Sequence, residues 1–198
     1  MRDYILENIQ ESIAAKQKLL NDEGILKTIE EAASLCIDAY KKGRKILVCG
    51  NGGSASDALH MAGELVGRYK LERSGIPAIA LNSNVAVMTA LGNDYDYESI
   101  YAKQVKALGS EGDVLFAIST SGNSKNTVAA CRQAAAMNIS TVSLTGENGG
   151  KMREISDICL NVPSNNTPRI QEMHILLIHT LCGIIEKQLY EDGYFEEV

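Results

Sequence analysis

The stretch ILVCGNGGSASDALHMAGEL, residues 46–65, changes character in its middle. Its first four residues are an apolar run of strand length, and from Ser54 onward the spacing is helical. Between them Gly50, Asn51, Gly52, Gly53 and Ser54 form a turn. Backbone N–H groups at a helix start carry partial positive charge and point at whatever lies there, so such a turn suits a phosphate. Two owners of that phosphate fit at first sight, a nucleotide cofactor and a small phosphorylated metabolite. His60 and Glu64, a few positions on, suggest that more than binding happens here.

Outward from this stretch the periodicity alternates. Apolar positions at helical spacing predict helices over 3–20 (Ile5, Ile9, Ile13) and 23–42 (Ile29, Ala33, Cys36, Ala39), the second closed by Gly43. A strand at 45–50 and a helix over 54–69 follow. Next come a strand at 78–81, helices through 85–91 and 99–108, and a strand at 113–119. A helix over 124–137, a strand at 140–146, a short helix over 150–155, a strand at 158–162 and a long helix over 169–190 complete the pattern. Short hydrophobic strands separated by helices predict an α/β fold, a three-layer sandwich whose five-stranded parallel sheet is covered on both faces. The expected organisation is one domain over 1–198, with a helical pair at 1–43 and an α/β core at 44–198. The terminal EDGYFEEV is acidic and expected to fray.

Bulk properties exclude several classes. With 198 residues, 45% apolar and 22% charged, the chain has the size and balance of one globular domain. No apolar run reaches the ~18 residues of a membrane span. The opening MRDYILENIQESIAAKQ carries acids and amides throughout, unlike a signal or transit peptide. Five scattered cysteines (Cys36, Cys49, Cys131, Cys159, Cys182) contain no CxxC pair and read as reduced thiols of a cytoplasmic protein. A net charge of −6 argues against a nucleic-acid partner, so any anion must be held by local groups.

A second strand-to-helix turn, STSGNS at 119–124, lies at the same carboxyl edge of the expected sheet, where ligands of such folds bind. One serine there would be explained by helix capping. Ser119, Thr120, Ser121 and Ser124 put four hydroxyls in six residues, which points to phosphate. Gly50, Gly52 and Ala55 do fit G-x-G-x-x-A, but the next strand ends in Asn82, Ser83 and Asn84, with no carboxylate for a ribose. A Walker loop is absent too. The phosphate therefore belongs to a small metabolite.

The three histidines fall in two segments. His60 and Glu64, at i and i+4, share a helix face. Such a pair is most often merely solvated, but this one starts six residues beyond a phosphate turn. In RIQEMHILLIHTLCGIIEK, Gln171 and His179 interrupt a face made by Ile175, Ile178 and Cys182, and buried polar groups need partners. His174 falls on another flank and reads as structural.

These segments, with GNDYDYE, LTGENGGKM and RIQEMHILLIHTLC, resemble the sugar isomerase (SIS) domain family, specifically its phosphoheptose isomerases, over nearly the whole chain. The resemblance implies an SIS-type sandwich and the conversion of sedoheptulose 7-phosphate to D-glycero-D-manno-heptose 7-phosphate, the first step of bacterial heptose precursor synthesis. It implies one Zn²⁺ per subunit on His60, Glu64, Gln171 and His179, with Glu64 and His179 catalytic. It implies substrate contacts from Asn51, Gly52, Gly53, Ser54, Glu64, Asn93, Asp94, Ser119, Thr120, Ser121, Ser124 and Gln171, in a cytoplasmic homotetramer with sites at subunit interfaces. Pro168 stands where some members carry an aspartate, and no role is assigned there. Related SIS proteins include a non-enzymatic tetramer that binds the replication initiator protein and sugar-phosphate sensors in regulators. The complete His–Glu–Gln–His set favours the enzyme, and the chain has no basic segment for DNA.

Moving a carbonyl between C1 and C2 needs a base for a C–H proton and an acid for hydroxyl protons, for which carboxylate and imidazole are the usual pair. Metal ligation and proton transfer compete for the same two side chains, since a carboxylate donating to Zn²⁺ is a poorer base. Gln171 and His179 also lie about 12 Å and about 80° apart on a straight helix. Either Gln171 sits on an irregular first turn, or the two ligands come from different subunits.

Overall fold

All five apolar runs pair into one sheet in the computed structural model, which describes residues 1–195. The chain runs α1 (Arg2–Leu20), α2 (Glu23–Lys41), β1 (Ile46–Gly50), α3 (Gly53–Val66), β2 (Ala78–Ala80), α4 (Val85–Asp94) and α5 (Ile100–Leu108). It continues through β3 (Val114–Ile118), α6 (Lys125–Ala135), β4 (Ser140–Thr145), α7 (Met152–Ile155), β5 (Ile158–Asn161) and α8 (Thr167–Glu191). Every strand pairing is parallel, in the order β2-β1-β3-β4-β5. Every residue of β1 and β3 is buried, as a sheet covered on both faces requires.

Alternation along the strands sorts the core into two layers. Ile46, Val48, Phe116 and Val142 face α2, α3 and α8; Leu47, Cys49, Leu115 and Ala117 face α5, α6 and α7. The order also reverses at β1: the chain goes to β2 on one side and returns to β3 on the other. Gly50 pairs with Ile118, so the two turns after these strands open side by side at the switch point, where ligands bind in such sheets. The N-terminal pair differs in depth. Helix α2 is capped by Asp22, which accepts from the Ile25 N–H, and buries eight side chains; α1 buries only Ala15 and Leu19. Polar links hold α1: Arg169 donates to the Asn8 carbonyl, and Ser12 donates to Glu172 at 2.6 Å.

Three differences from the sequence reading have a clear physical cause. Helix α3 ends at Val66, before residue 69, because Gly67 follows and the Arg73 guanidinium takes the carbonyls of Glu64, Leu65 and Gly67, which a continuing helix would have used. Helix α8 begins at Thr167, with Pro168 in the first turn where its missing N–H costs nothing. The tail is not frayed as far as Phe195. The Tyr194 N–H donates to Leu189, Asp192 pairs with Lys41 at 2.6 Å, and Tyr194 and Phe195 pack on the core. Residues 196–198 lie outside the described residues.

The thiols of Cys36, Cys49, Cys131 and Cys182 are buried, and burial pushes those of Cys131 and Cys182 up to about 11 and about 12, so they stay protonated. His174 is fully buried with no hydrogen bond of good geometry at either ring nitrogen; burial pushes its imidazole down to about 4, against the raising effect of the Thr145 backbone. Unfolded, it would titrate near 6.5, so as pH falls from about 6.5 towards 4 the unfolded chain gains a proton that the folded one refuses. Stability is lost over that window, by about 2–3 kcal/mol at pH 4.5. His174→Leu is expected to remove this part of the acid destabilisation in urea unfolding at pH 7 and 4.5. An unchanged difference between the two pH values would contradict the assignment.

Candidate active site

Helices α3 and α8 lie side by side and run the same way, since Gly53 meets Gln171 and, further along, His60 meets His179. At this second contact, His60 Nε2 is 3.0 Å from Glu64 Oε1 and 3.0 Å from His179 Nε2. Together His60, Glu64 and His179 offer ligand atoms within 4.8 Å of one another. Two imidazole nitrogens and a carboxylate oxygen converging on one point suit Zn²⁺, which takes N and O donors in tetrahedral geometry. All three come from one chain. His60 is exposed, whereas Glu64 and His179 are half-buried, so the point faces solvent on one side.

Gln171 lies about two turns before His179 on α8. Its amide occupies the space where a Cβ on Gly53 would stand, at the start of α3. Helix α8 is already regular there, with the Ile170 N–H donating to Asn166, so the irregular first turn is excluded as a way to bring Gln171 to His179. Within one chain Gln171 lies against the 50–54 turn, at Gly53.

That turn is built for close approach. Gly52 has φ 56°, and α3 begins immediately after it. Asn51 is fixed by a reciprocal amide pair with Asn126, each Nδ2 donating to the other's Oδ1 at 2.8 Å, and Tyr97 donates to Asn51 Oδ1 at 3.2 Å. Ser54 is buried in the first turn of α3.

In the second turn, Ser119 and Ser124 share a hydrogen bond of 2.9 Å, and Ser124 makes no capping bond to α6. Simple capping thus fails to explain Ser124, while Ser121 does accept the Asn123 N–H at 3.2 Å as a turn serine would. Thr120 and Ser121 line a cavity of about 300 Å³ with Gly146, Asn148 and Asn165. The loop after β4 braces this turn: Gly146 N–H donates to Thr120, and Met152 N–H to Gly122. Gly122 has φ 64°, and the Gly149 carbonyl occupies the position of its missing Cβ. Gly122→Ala combines left-handed strain with that clash and is expected to cost at least about 2 kcal/mol. Urea unfolding checks it, and a midpoint equal to wild type would show that the turn can open without cost.

Asn93 and Asp94 sit at the C-terminal end of α4, where Asn93 donates to Asp94 at 3.0 Å. Among the described residues no hydrogen bond joins either to the turns. Helix α4 buries no side chain fully, although Met88 and Leu91 pack half-buried on the core.

Sequence reasoning missed Asn126, Tyr97 and Asp57. Asp57, three residues before His60 and so on a neighbouring part of the same face, has a buried Oδ2 without a partner. Burial pushes its carboxyl up to about 6, against the lowering effect of His60. The i−3 spacing from His60 was the available signal. Also unforeseen was a buried pair behind the histidines. Glu186 accepts the N–H groups of Tyr69, Lys70 and Leu71 at 2.8–3.0 Å, and Arg73 Nε at 3.0 Å. Burial opposes its charge, but these donors outweigh it and hold the carboxyl below the usual range. A cleft of about 570 Å³ adjoins this pair, lined by Tyr69, Leu71, His179 and Gly183 among others.

Comparison with known proteins places the chain in a family. Residues 9–146 match the model of the SIS domain. The chain is 46% identical to phosphoheptose isomerase of Sulfurimonas denitrificans, over 98% of this chain and 99% of that one. It is 52% identical to the enzyme of the same name from Helicobacter pylori, over 90% and 93%. The solved phosphoheptose isomerase of Neisseria gonorrhoeae superposes with a TM-score of 0.88 at 41% identity, covering 94% of this chain and 98% of that one.

Proposed function

Because the chain belongs to the SIS-domain family, and within it to the phosphoheptose isomerases, we infer that it interconverts sedoheptulose 7-phosphate and D-glycero-D-manno-heptose 7-phosphate through an enediol. The observation that carries this reading is the convergence of Glu64 and His179, a carboxylate and an imidazole, on one solvent-facing point of a chain whose β1 and β3 turns open side by side.

The phosphate is taken by the 119–124 turn, where the hydroxyls of Ser119, Thr120, Ser121 and Ser124 and the N–H groups opening α6 supply donors without any cationic side chain. Asn51, Gly52, Gly53 and Ser54, with Gln171 over them, line the other wall and orient the sugar. With the phosphate held there, Glu64 on α3 and His179 on α8 carry the proton transfers. One moves the C–H proton between C1 and C2, and the other moves hydroxyl protons between the two oxygens. Zinc on His60, Glu64 and His179, with Gln171 of this or a neighbouring subunit as the fourth ligand, would polarise the carbonyl and stabilise the enediolate when bound. Asn93 and Asp94 complete the site from a neighbouring subunit of a cytoplasmic homotetramer. Support for assembly comes from an exposed stripe on α1 (Ile5, Ile9, Ile13) and from α4, which lies with no fully buried side chain in the single chain. Among the described residues no helix is long and apolar enough to cross a membrane.

Two measurements test the finer points. Dialysis against a chelator is expected to abolish turnover of sedoheptulose 7-phosphate, and added Zn²⁺ to restore it; full turnover by metal-free protein would overturn the metal's part. Sedimentation equilibrium is expected to show four chains, and an active monomer would refute the shared site.

A further inference from the structure

Residues 67–77, between α3 and β2, form neither helix nor strand, yet they carry Tyr69 onto the site. The Tyr69 ring stacks on the His179 imidazole, with centroids 5.9 Å apart and planes inclined at 27°. His179 also meets His60 edge to face at 4.9 Å. His179 is thus oriented by Tyr69, and the position of Tyr69 depends on what holds its backbone.

Glu186 holds it. Seven residues after His179, it projects from the same face of α8 two turns along. Its carboxylate takes three consecutive N–H groups, those of Tyr69, Lys70 and Leu71, together with Arg73 Nε. Arg73 then spends its remaining donors on the carbonyls of Glu64, Leu65, Gly67 and Ser74. One ion pair therefore reaches both proposed proton-transfer residues, His179 through the Tyr69 ring and Glu64 through its own carbonyl. Both charged side chains are almost fully buried, at 1% and 2% exposure. Burying two charges costs enough that apolar residues of similar volume often serve stability as well or better. Stability alone is a weak reason for this arrangement.

We propose that Glu186 and Arg73 are positioning residues: they lock the 67–77 segment so that Tyr69 stays stacked on His179 while the end of α3 bearing Glu64 stays fixed. Neither needs to touch the substrate. This rests on the isomerase reading for its kinetic consequences, but the geometry also governs how His179 is presented to a metal. Groups that orient a metal ligand typically matter by 10–100-fold in affinity or activity.

The test compares wild type, Tyr69→Phe, Tyr69→Leu, Glu186→Gln and the double variant Tyr69→Leu/Glu186→Gln. Tyr69→Leu is expected to lower kcat about 10-fold or more with KM nearly unchanged, while Tyr69→Phe, which keeps the ring, retains activity. Glu186→Gln is expected to act in the same direction, and the double variant to be little worse than the poorer single one, since both act through one contact. Multiplying losses, a wild-type kcat for Tyr69→Leu, or equal losses for Leu and Phe would overturn the proposal. If circular dichroism shows Glu186→Gln unfolded, the two Tyr69 variants decide alone. Zinc affinity, measured by competition with a chelating dye, separates this idea from the isomerase reading. It is expected to fall about 10-fold in Tyr69→Leu and to hold in Tyr69→Phe. If wild type fails to isomerise, the isomerase reading falls and the zinc comparison still judges the proposal; equal zinc affinities in all variants would sink it.

Discussion

Glu64→Gln and His179→Gln are each expected to lower kcat for heptose phosphate isomerisation by about 10²–10⁴-fold while leaving the fold intact. Both side chains are half-buried and point at a common centre, with Glu64 Oε1 and His179 Nε2 each 3.0 Å from His60 Nε2. Neither lies in the layers of apolar packing, so circular dichroism should match wild type. Glutamine keeps the volume but cannot act as a base at neutral pH, so the loss combines lost proton transfer with a weaker hold on zinc. Mixing the two inactive proteins should restore nothing, because Glu64 and His179 of each site come from the same chain. Recovery in mixed oligomers, or either variant with most of the wild-type kcat, would overturn the roles given to these residues.

Ser119→Ala and Thr120→Ala are expected to weaken binding of substrate or inorganic phosphate by about 1.5–3 kcal/mol each, the worth of a hydrogen bond to a charged group. Ser119 is buried and its hydroxyl is already oriented by Ser124, so it is set in place before a ligand arrives. Zinc affinity should not change, since the metal-competent trio lies on α3 and α8, whereas these hydroxyls lie at the end of β3. Calorimetric titration with phosphate decides it. Unchanged affinity would leave the serine cluster as a brace for the turn and nothing more.

The elements were legible because their signals are local. Five apolar runs became five strands, fully buried in β1 and β3 and partly exposed in the edge strands β2 and β5. The site was legible as two halves: i,i+4 spacing joined His60 to Glu64, and a density of hydroxyls marked 119–124. What remained hidden depends on contacts far apart in the chain. Asn126 acts on Asn51 across 75 positions, and Glu186 reaches the Tyr69 backbone across 117. No periodicity reports such pairs, and Glu186 in a helix of mixed polarity reads as an ordinary surface acid. Gln171 shows the same limit. Its place on a polar notch of α8 was visible, but its contact with Gly53 follows from the parallel setting of α3 and α8.

The central claim is the reaction itself, and one measurement meets it directly. Purified protein with zinc, incubated with sedoheptulose 7-phosphate and followed by ¹³C NMR, is expected to convert the C2 ketose signal into the anomeric signals of an aldoheptose 7-phosphate, with Glu64→Gln inert alongside. A ketose spectrum unchanged at enzyme concentrations that bind the substrate would contradict the account.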